Sequence, residues 1–244
     1  MMDILYIVGT GSTWENNELR YSLRSIEKNG VNVGRVYLVG FRPDFVSDRV
    51  RYIPCSDPYK QKHKNILYKT LYAIEHSDID NHFLASSDDH FYIRPTDFAE
   101  LPVYYREEEI PYNRDWTAKD NYQKSLFETR KLLLQYGFPI YQTNPHCNTH
   151  FDRDVYNRYR PMFDRCFKLQ HGGEMNCVMG NLLIHEGARP EKFHDAKLSG
   201  KITQDRWEQR IGDANCISSC PNINQAYMAN WLAREFKDKS IYEK

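Results

Sequence analysis

The sequence predicts an α/β fold, a mostly parallel sheet flanked by helices, followed by a mainly helical second half. Three observations carry that expectation. Short apolar, β-branched segments alternate with segments of helical period through the first hundred residues. Glycine-rich or acidic turns follow the strand-like segments, as at Gly9-Thr10-Gly11 and Asp88-Asp89. Beyond residue 100 the apolar spacing becomes predominantly helical.

Residues 3–8 (DILYIV) are the first predicted strand, closed by the turn Gly9-Thr10-Gly11-Ser12-Thr13. Residues 18–28 place Leu19, Leu23 and Ile26 at helical spacing and stop at Asn29-Gly30. Residues 35–39 (RVYLV) and 50–53 read as further strands. Asp57-Pro58 predicts an N-cap and first-turn proline for a helix reaching about His76, with Leu67, Leu71 and Ile74 inward. Residues 82–85 form another strand, ended by Ser86-Ser87-Asp88-Asp89, and 91–94 form the next. Helices are expected over 117–136, 153–166, 177–184 and 222–236. The stretch 97–115, with its Glu107-Glu108-Glu109 run, marks a seam between residues 1–100 and 101–244 of one continuous domain.

Composition narrows the function classes. The 33 Lys+Arg balance 33 Asp+Glu, so no global field draws the chain to nucleic acid or anionic lipid, and only a local basic patch stays open. A hydrophobic content of 41% rules out a wholly disordered or fibrous chain. No apolar run reaches the ~18 residues of a membrane span. Met1-Met2-Asp3 lacks the basic start of a signal peptide. The six scattered cysteines read as reduced thiols, so a soluble cytoplasmic protein is expected.

Five features could carry chemistry. A glycine turn leaving the carboxyl end of a first parallel strand is where α/β sheets bind nucleotides, and Gly9 to Ser12 permit close backbone approach. The turn lacks the third glycine of a dinucleotide fingerprint and the lysine of a Walker loop. Arg20 and Arg24 share one face of the following helix, where two guanidinium forks suit a diphosphate; the alternative is pairing with Glu27 or another carboxylate at a seam. Asp88 and Asp89 end an apolar strand, and such oxygen ligands suit Mg²⁺ or Mn²⁺ bridging a diphosphate, with Ser87 beside them. The alternative there is an Asx-capped turn. Lys60, Lys62, Lys64, Asn65 and Lys69 crowd a helix start, where cations are unfavourable unless an anion is bound. That cluster also reads as a solubility patch. Downstream, His150 has a pKa range suited to a general acid or base.

Together these residues resemble the Stealth proteins, hexose-1-phosphate transferases of microbial capsule synthesis and lysosomal-enzyme tagging. Asp3-Ile4-Leu5-Tyr6 before Gly11-Ser12 looks like their first block, and residues 17–27 (NELRYSLRSIE) are nearly letter for letter their second. Residues 36–39 match the strand that follows, and Ser87-Asp88-Asp89 stands where that block ends in Asn-Asp-Asp. Thr10 and Ser87 each replace a family asparagine. The third block survives as His150 and, faintly, as His171-Gly172-Gly173-Glu174. The last block is reduced to residues 217–222. The chain also looks like short glycosyltransferase-like proteins of phages and prophages.

The resemblance implies a GT-A-like (Rossmann-like) fold whose residues 1–100 bind a nucleotide sugar and whose residues 101–244 form the acceptor side. It implies a metal-dependent transferase in which Asp88 and Asp89 hold the metal. Gly9, Thr10, Gly11, Ser12, Lys64, Asn65 and Ser87 would meet the nucleotide sugar, and Arg20, Arg24 and His150 would act in catalysis. Sugar transfer to a glycan or another hydroxyl acceptor is the expected reaction. Stealth-type sugar-phosphate transfer and a non-catalytic nucleotide-sugar or glycan-binding module are the alternatives. A modified nucleobase in phage DNA is a further acceptor, which would place the protein in the host cytoplasm.

Overall fold

The computed structural model describes residues 1–112, 120–198, 203–219 and 225–244. The first half builds β1 (Met2–Val8), α1 (Asn17–Asn29), β2 (Gly30–Val31), β3 (Val33–Gly40), β4 (Arg51–Pro54), α2 (Lys62–His76), β5 (His82–Ser86), β6 (His90–Tyr92) and β7 (Thr96–Asp97). The second adds β8 (Val103–Tyr105), α3 (Asn121–Gln135), β9 (Thr149–Asp152), α4 (Arg153–Arg158), α5 (Arg160–Lys168) and α6 (Met175–His185). It ends with β10 (Pro190–Lys192), β11 (Ala196–Leu198), α7 (Gln204–Ile211), β12 (Cys216–Ser219) and α8 (Gln225–Glu235).

The main sheet has the order β4-β3-β1-β5-β9, parallel except for β9, which runs antiparallel to β5. Alternation along β1 explains its layers. Leu5 points to a core shared with α2, α5 and α6, while Ile4, Tyr6 and Val8 point to a core shared with α1. A small sheet, β11-β12-β6, packs its apolar face on α7 and α8 through Trp207, Met228 and Leu232.

Helix α1 buries Leu19, Leu23 and Ile26 as their spacing predicts. Two buried serines then fix its position. Ser22 Oγ donates to the His90 carbonyl at 2.6 Å, and Tyr92 N donates to Ser25 Oγ at 3.0 Å. Asp3, first residue of the Stealth-like block, is a structural anchor: it accepts from Arg35 Nη2 at 2.7 Å and from the Arg35 backbone N–H.

Some expectations change. Helix α2 starts at Lys62, because Asp57 pairs with buried Lys69 at 2.6 Å instead of capping, and Asn65 bonds back to both backbone groups of Tyr59. The helix expected over 153–166 breaks at Tyr159, and Pro161 falls in the first turn of α5, where its missing N–H is harmless. Strand β9 was not anticipated. Residues 113–119, 199–202 and 220–224, which include the expected starts of the helices over 117–136 and 222–236, the end of the expected seam and Cys220, lie outside the described residues. The five described cysteines are free. Among the described residues no helix is long and apolar enough to cross a membrane.

Candidate functional site

Parallel β1 and β5 end side by side, and antiparallel β9 begins next to them. Loops 9–16, 87–89 and 142–148 therefore converge at one edge of the sheet, the edge where open α/β sheets hold ligands. Asp88 and Asp89 lie there. Among the described residues neither carboxylate meets a cation or a side-chain donor. Burial first, then the charges of Asp89 and Glu18, push Asp88 up to about 7, and Lys62 opposes them only through space. Glu18, in the first turn of α1, has a buried Oε2 without a hydrogen-bond partner.

Uncompensated carboxylates of this kind suit a divalent cation. No closed set of three or more His, Cys, Asp or Glu ligands is present among the described residues. Two adjacent aspartates that leave most coordination positions open fit Mg²⁺ or Mn²⁺ shared with phosphate oxygens and water.

The facing wall comes from the small sheet. Lys197, Ser218 and His90 are register partners across β11, β12 and β6, so their side chains share one face. His90 Nδ1 and Ser218 Oγ are buried without partners. Burial pushes His90 down to about 4; Asp89 opposes this, and His146 and Lys197 reinforce it. The imidazole is thus neutral at pH 7. Lys197 Nζ donates to His146 Nε2 at 3.0 Å, so Nε2 is the acceptor and Nδ1 carries the proton. Nδ1 donates to Asp195 at 2.8 Å, and Arg106 Nε pairs with the same carboxylate at 2.8 Å. Burial would raise Asp195, but the hydrogen bond from His146 and the charges of Arg106 and Lys197 bring it below the usual range. Lys197 itself has no carboxylate within ion-pair distance among the described residues, so its charge remains available.

The residues expected at the site divide into two groups. An added Cβ at Gly11 would meet nothing within 4 Å, and Gly9 would meet only Asp57 at 3.9 Å, so the turn is uncrowded. Thr10 and Ser87 are exposed. Ser12 Oγ accepts from the backbone of Trp14 and Asn16, closing the turn into α1. Lys64 packs its stem against Gly172, where φ is +80° and an added Cβ would come within 2.8 Å of Lys64 Cγ.

Four residues need correction. Asn65 uses both ends of its amide on Tyr59, so none remains for a nucleotide. Arg20 and Arg24 both pair with Glu243, at 3.0 and 2.7 Å, and Arg24 also donates to the Phe236 carbonyl. The seam-carboxylate alternative thus describes them, with the partner supplied by the C-terminal segment. His150 lies beside Leu84 in register, four residues before Asp88, roughly 13 Å back along the strand. It hydrogen-bonds His82 at 2.9 Å and the Leu101 carbonyl at 2.6 Å, and burial, with the charge of His82, pushes it down to about 4. It lines a separate pocket of about 280 Å³ with Leu101, Pro102 and Leu183. The third-block remnant is structural as well: His171 bonds Glu128, and Glu174 caps α6.

Sequence reasoning missed Lys197, Asp195, Arg106 and Ser218, which stand in unrelated segments. The density of His and amide residues near 142–150 was the only available signal.

No family model matches the chain, and no curated protein matches it. Among solved structures, an active-site mutant of LgtC superposes with a TM-score of 0.50 at 12% identity, covering 96% of this chain and 95% of that one. The chain shares the fold of LgtC. LgtC in complex with donor and acceptor sugar analogs gives a TM-score of 0.49 at 10% identity, covering 98% and 96%. A glycosyltransferase involved in glycosylation of the major capsid of PBCV-1 gives 0.46 at 11% identity, covering 96% and 98%. The GT-A-like architecture expected from the sequence is therefore the one found.

Proposed function

We propose that the chain is a nucleotide-sugar-dependent glycosyltransferase acting on a glycan or another hydroxyl acceptor. The carrying observation is that the strand ends bring two adjacent uncompensated carboxylates, Asp88 and Asp89, close to a cation without a carboxylate partner: Asp89 and Lys197 both lie within electrostatic reach of the same buried His90. A metal-bound diphosphate needs both kinds of charge. Asp88 and Asp89 would hold Mg²⁺ or Mn²⁺, which when bound offsets negative charge on the departing diphosphate. Lys197 donates to a phosphate oxygen, and the His146–Asp195–Arg106 chain holds its ammonium in place. The open turn Gly9 to Ser12 offers backbone N–H groups toward the nucleotide, with Ser87 and Lys64 at its border. The shared fold with LgtC, named a galactosyltransferase, is consistent with this reading.

The test is product analysis after incubation with a panel of nucleotide sugars and Mn²⁺, with water as default acceptor. Release of nucleoside diphosphate, lost in Asp88→Ala, is the expected result. Release of nucleoside monophosphate would replace it with Stealth-type sugar-phosphate transfer. Tight binding without any product would leave a non-catalytic binding module.

A further inference from the structure

The cleft has another wall, which the phosphate chemistry does not use. His63, in the first turn of α2, stacks on Tyr122, in the first turn of α3, with ring centroids 5.8 Å apart. The Tyr122 hydroxyl oxygen accepts from Asn144 Nδ2 at 2.7 Å and, at the limit of bonding, from Gln142 Nε2 at 3.5 Å. Both contacts come from N–H donors, so its own O–H has no acceptor among the described residues. Burial pushes the phenol up to about 12, and it keeps that proton. Asn144 Oδ1 is buried without a partner. Turning the amide over does not cure this, because Nδ2 would then be the buried orphan.

Asn148 repeats the pattern. Its Oδ1 accepts from Ser86 Oγ at 2.8 Å; its side chain lies against His90, yet its buried Nδ2 makes no hydrogen bond of good geometry. Each such orphan is destabilising unless something completes it. Both asparagines stand on the loop that meets the acidic turn at the strand ends: Asn148 bonds Ser86, two residues before Asp88, and Asn144, four residues earlier on the same loop, bonds Tyr122.

The unpaired groups identify the chemistry. Glu174 lies within electrostatic reach of Tyr122, which disfavours a second anion here. A hydroxyl both donates and accepts. One hydroxyl can donate to Asn144 Oδ1 while accepting from Tyr122, and a second can accept from Asn148 Nδ2. In a nucleotide sugar one phosphate carries the donor sugar and the other the ribose; with the Gly9 to Ser12 turn given to the nucleotide, a hydroxyl-reading subsite on the 142–148 loop is left for the donor sugar.

We propose that Tyr122, Asn144 and Asn148 form the subsite that reads the hydroxyls of the transferred sugar. This rests on the nucleotide-sugar reading above. A site built to hydrogen-bond a hydroxyl rejects analogues that lack it far more strongly than an apolar pocket does.

The test is calorimetric binding, with Mn²⁺, of a nucleotide-sugar panel with epimers and deoxy analogues, alongside the free nucleoside diphosphates. It is run on the wild type, Tyr122→Phe and Asn144→Ala, with melting temperatures recorded. The expected result is a loss of sugar discrimination of roughly tenfold or more, with nucleoside diphosphate affinity held within about twofold. Unchanged discrimination at unchanged diphosphate affinity overturns the subsite and leaves the nucleotide-sugar reading intact. Parallel loss of diphosphate affinity and melting temperature assigns Tyr122 and Asn144 a structural role and overturns it too. A wild type that binds no nucleotide overturns both readings.

Discussion

Helix α1 carries charge of two kinds. On one side Arg20 and Arg24 close on Glu243, whose carboxylate is fully buried and also accepts from the backbone and hydroxyl of Ser240. Every charge there has a partner inside the chain. On the other side Glu18 turns an unpaired, buried oxygen toward Asp88, which with Asp89 also lacks a cation. Both groups sit in the same Stealth-like block and look equally functional as letters. Their difference is compensation: the Arg20–Arg24–Glu243 cluster neutralises itself within the chain, whereas the acidic pair is left unneutralised, which is why we propose it as the group that meets a ligand.

The comparison breaks most sharply at the acidic pair. Asp88→Ala or Asp89→Ala should lower transfer about 10²–10³-fold without lowering the melting temperature, since each removes a like-charge neighbour. A drop in melting temperature would make the pair structural after all.

Glu243→Ala should do the reverse. It leaves two partly buried guanidinium groups unpaired and should cost about 3 kcal/mol of stability in urea denaturation, with nucleotide affinity of the folded fraction preserved. Lost affinity at full stability would return Arg20 and Arg24 to the active site.

Lys197→Met tests a cation at the strand ends that has no carboxylate partner among the described residues. Removing a charged hydrogen bond of about 1.5–3 kcal/mol should weaken nucleoside diphosphate binding roughly 10- to 150-fold. An unchanged dissociation constant would assign Lys197 to the His146 network alone.

Stability should fall on acidification. Burial pushes His63 and His150 down to about 4 from 6.5. Between those values the unfolded chain binds more protons than the folded one, so stability decreases as pH drops through that window. Glu243, held below its ordinary range although burial opposes this, adds a further loss at lower pH, as its carboxylate protonates and releases the arginines. Asp88, held up to about 7, works the other way in the same window, so the test is run on Asp88→Asn, where a melting temperature flat from pH 7 to 4 would contradict the burial of these groups.

The smallest effect should come from His150→Gln, with turnover within about threefold of wild type. A general acid or base would cost 10²–10⁴-fold.

Much of the fold was legible because its signals are local. The alternation of β1, the 19/23/26 stripe of α1 and the apolar run of β5 each specify an element within a few residues. β9 was not legible: only four residues long, it becomes a strand by pairing with β5, as in Phe151 opposite Phe83. The start of α2 was misjudged because Asp57 has a partner, Lys69, twelve positions on. The acidic pair could be singled out as a candidate, since carboxylates ending an apolar strand need an explanation wherever they occur. Lys197, in the short segment 194–198, gave no comparable sign.

Sequence alone therefore determined the α/β class, the order of its main elements and the edge of the sheet where Asp88 and Asp89 stand. Periodicity and strand-end chemistry are properties of neighbouring residues. Only the tertiary structure decided which charges are compensated. Arg24 meets Glu243 across 219 positions, and His90, Ser218 and Lys197 come level only through strand register. Whether a charge is neutralised depends on the few ångströms around it, and the chain fills those from segments that sequence distance does not relate.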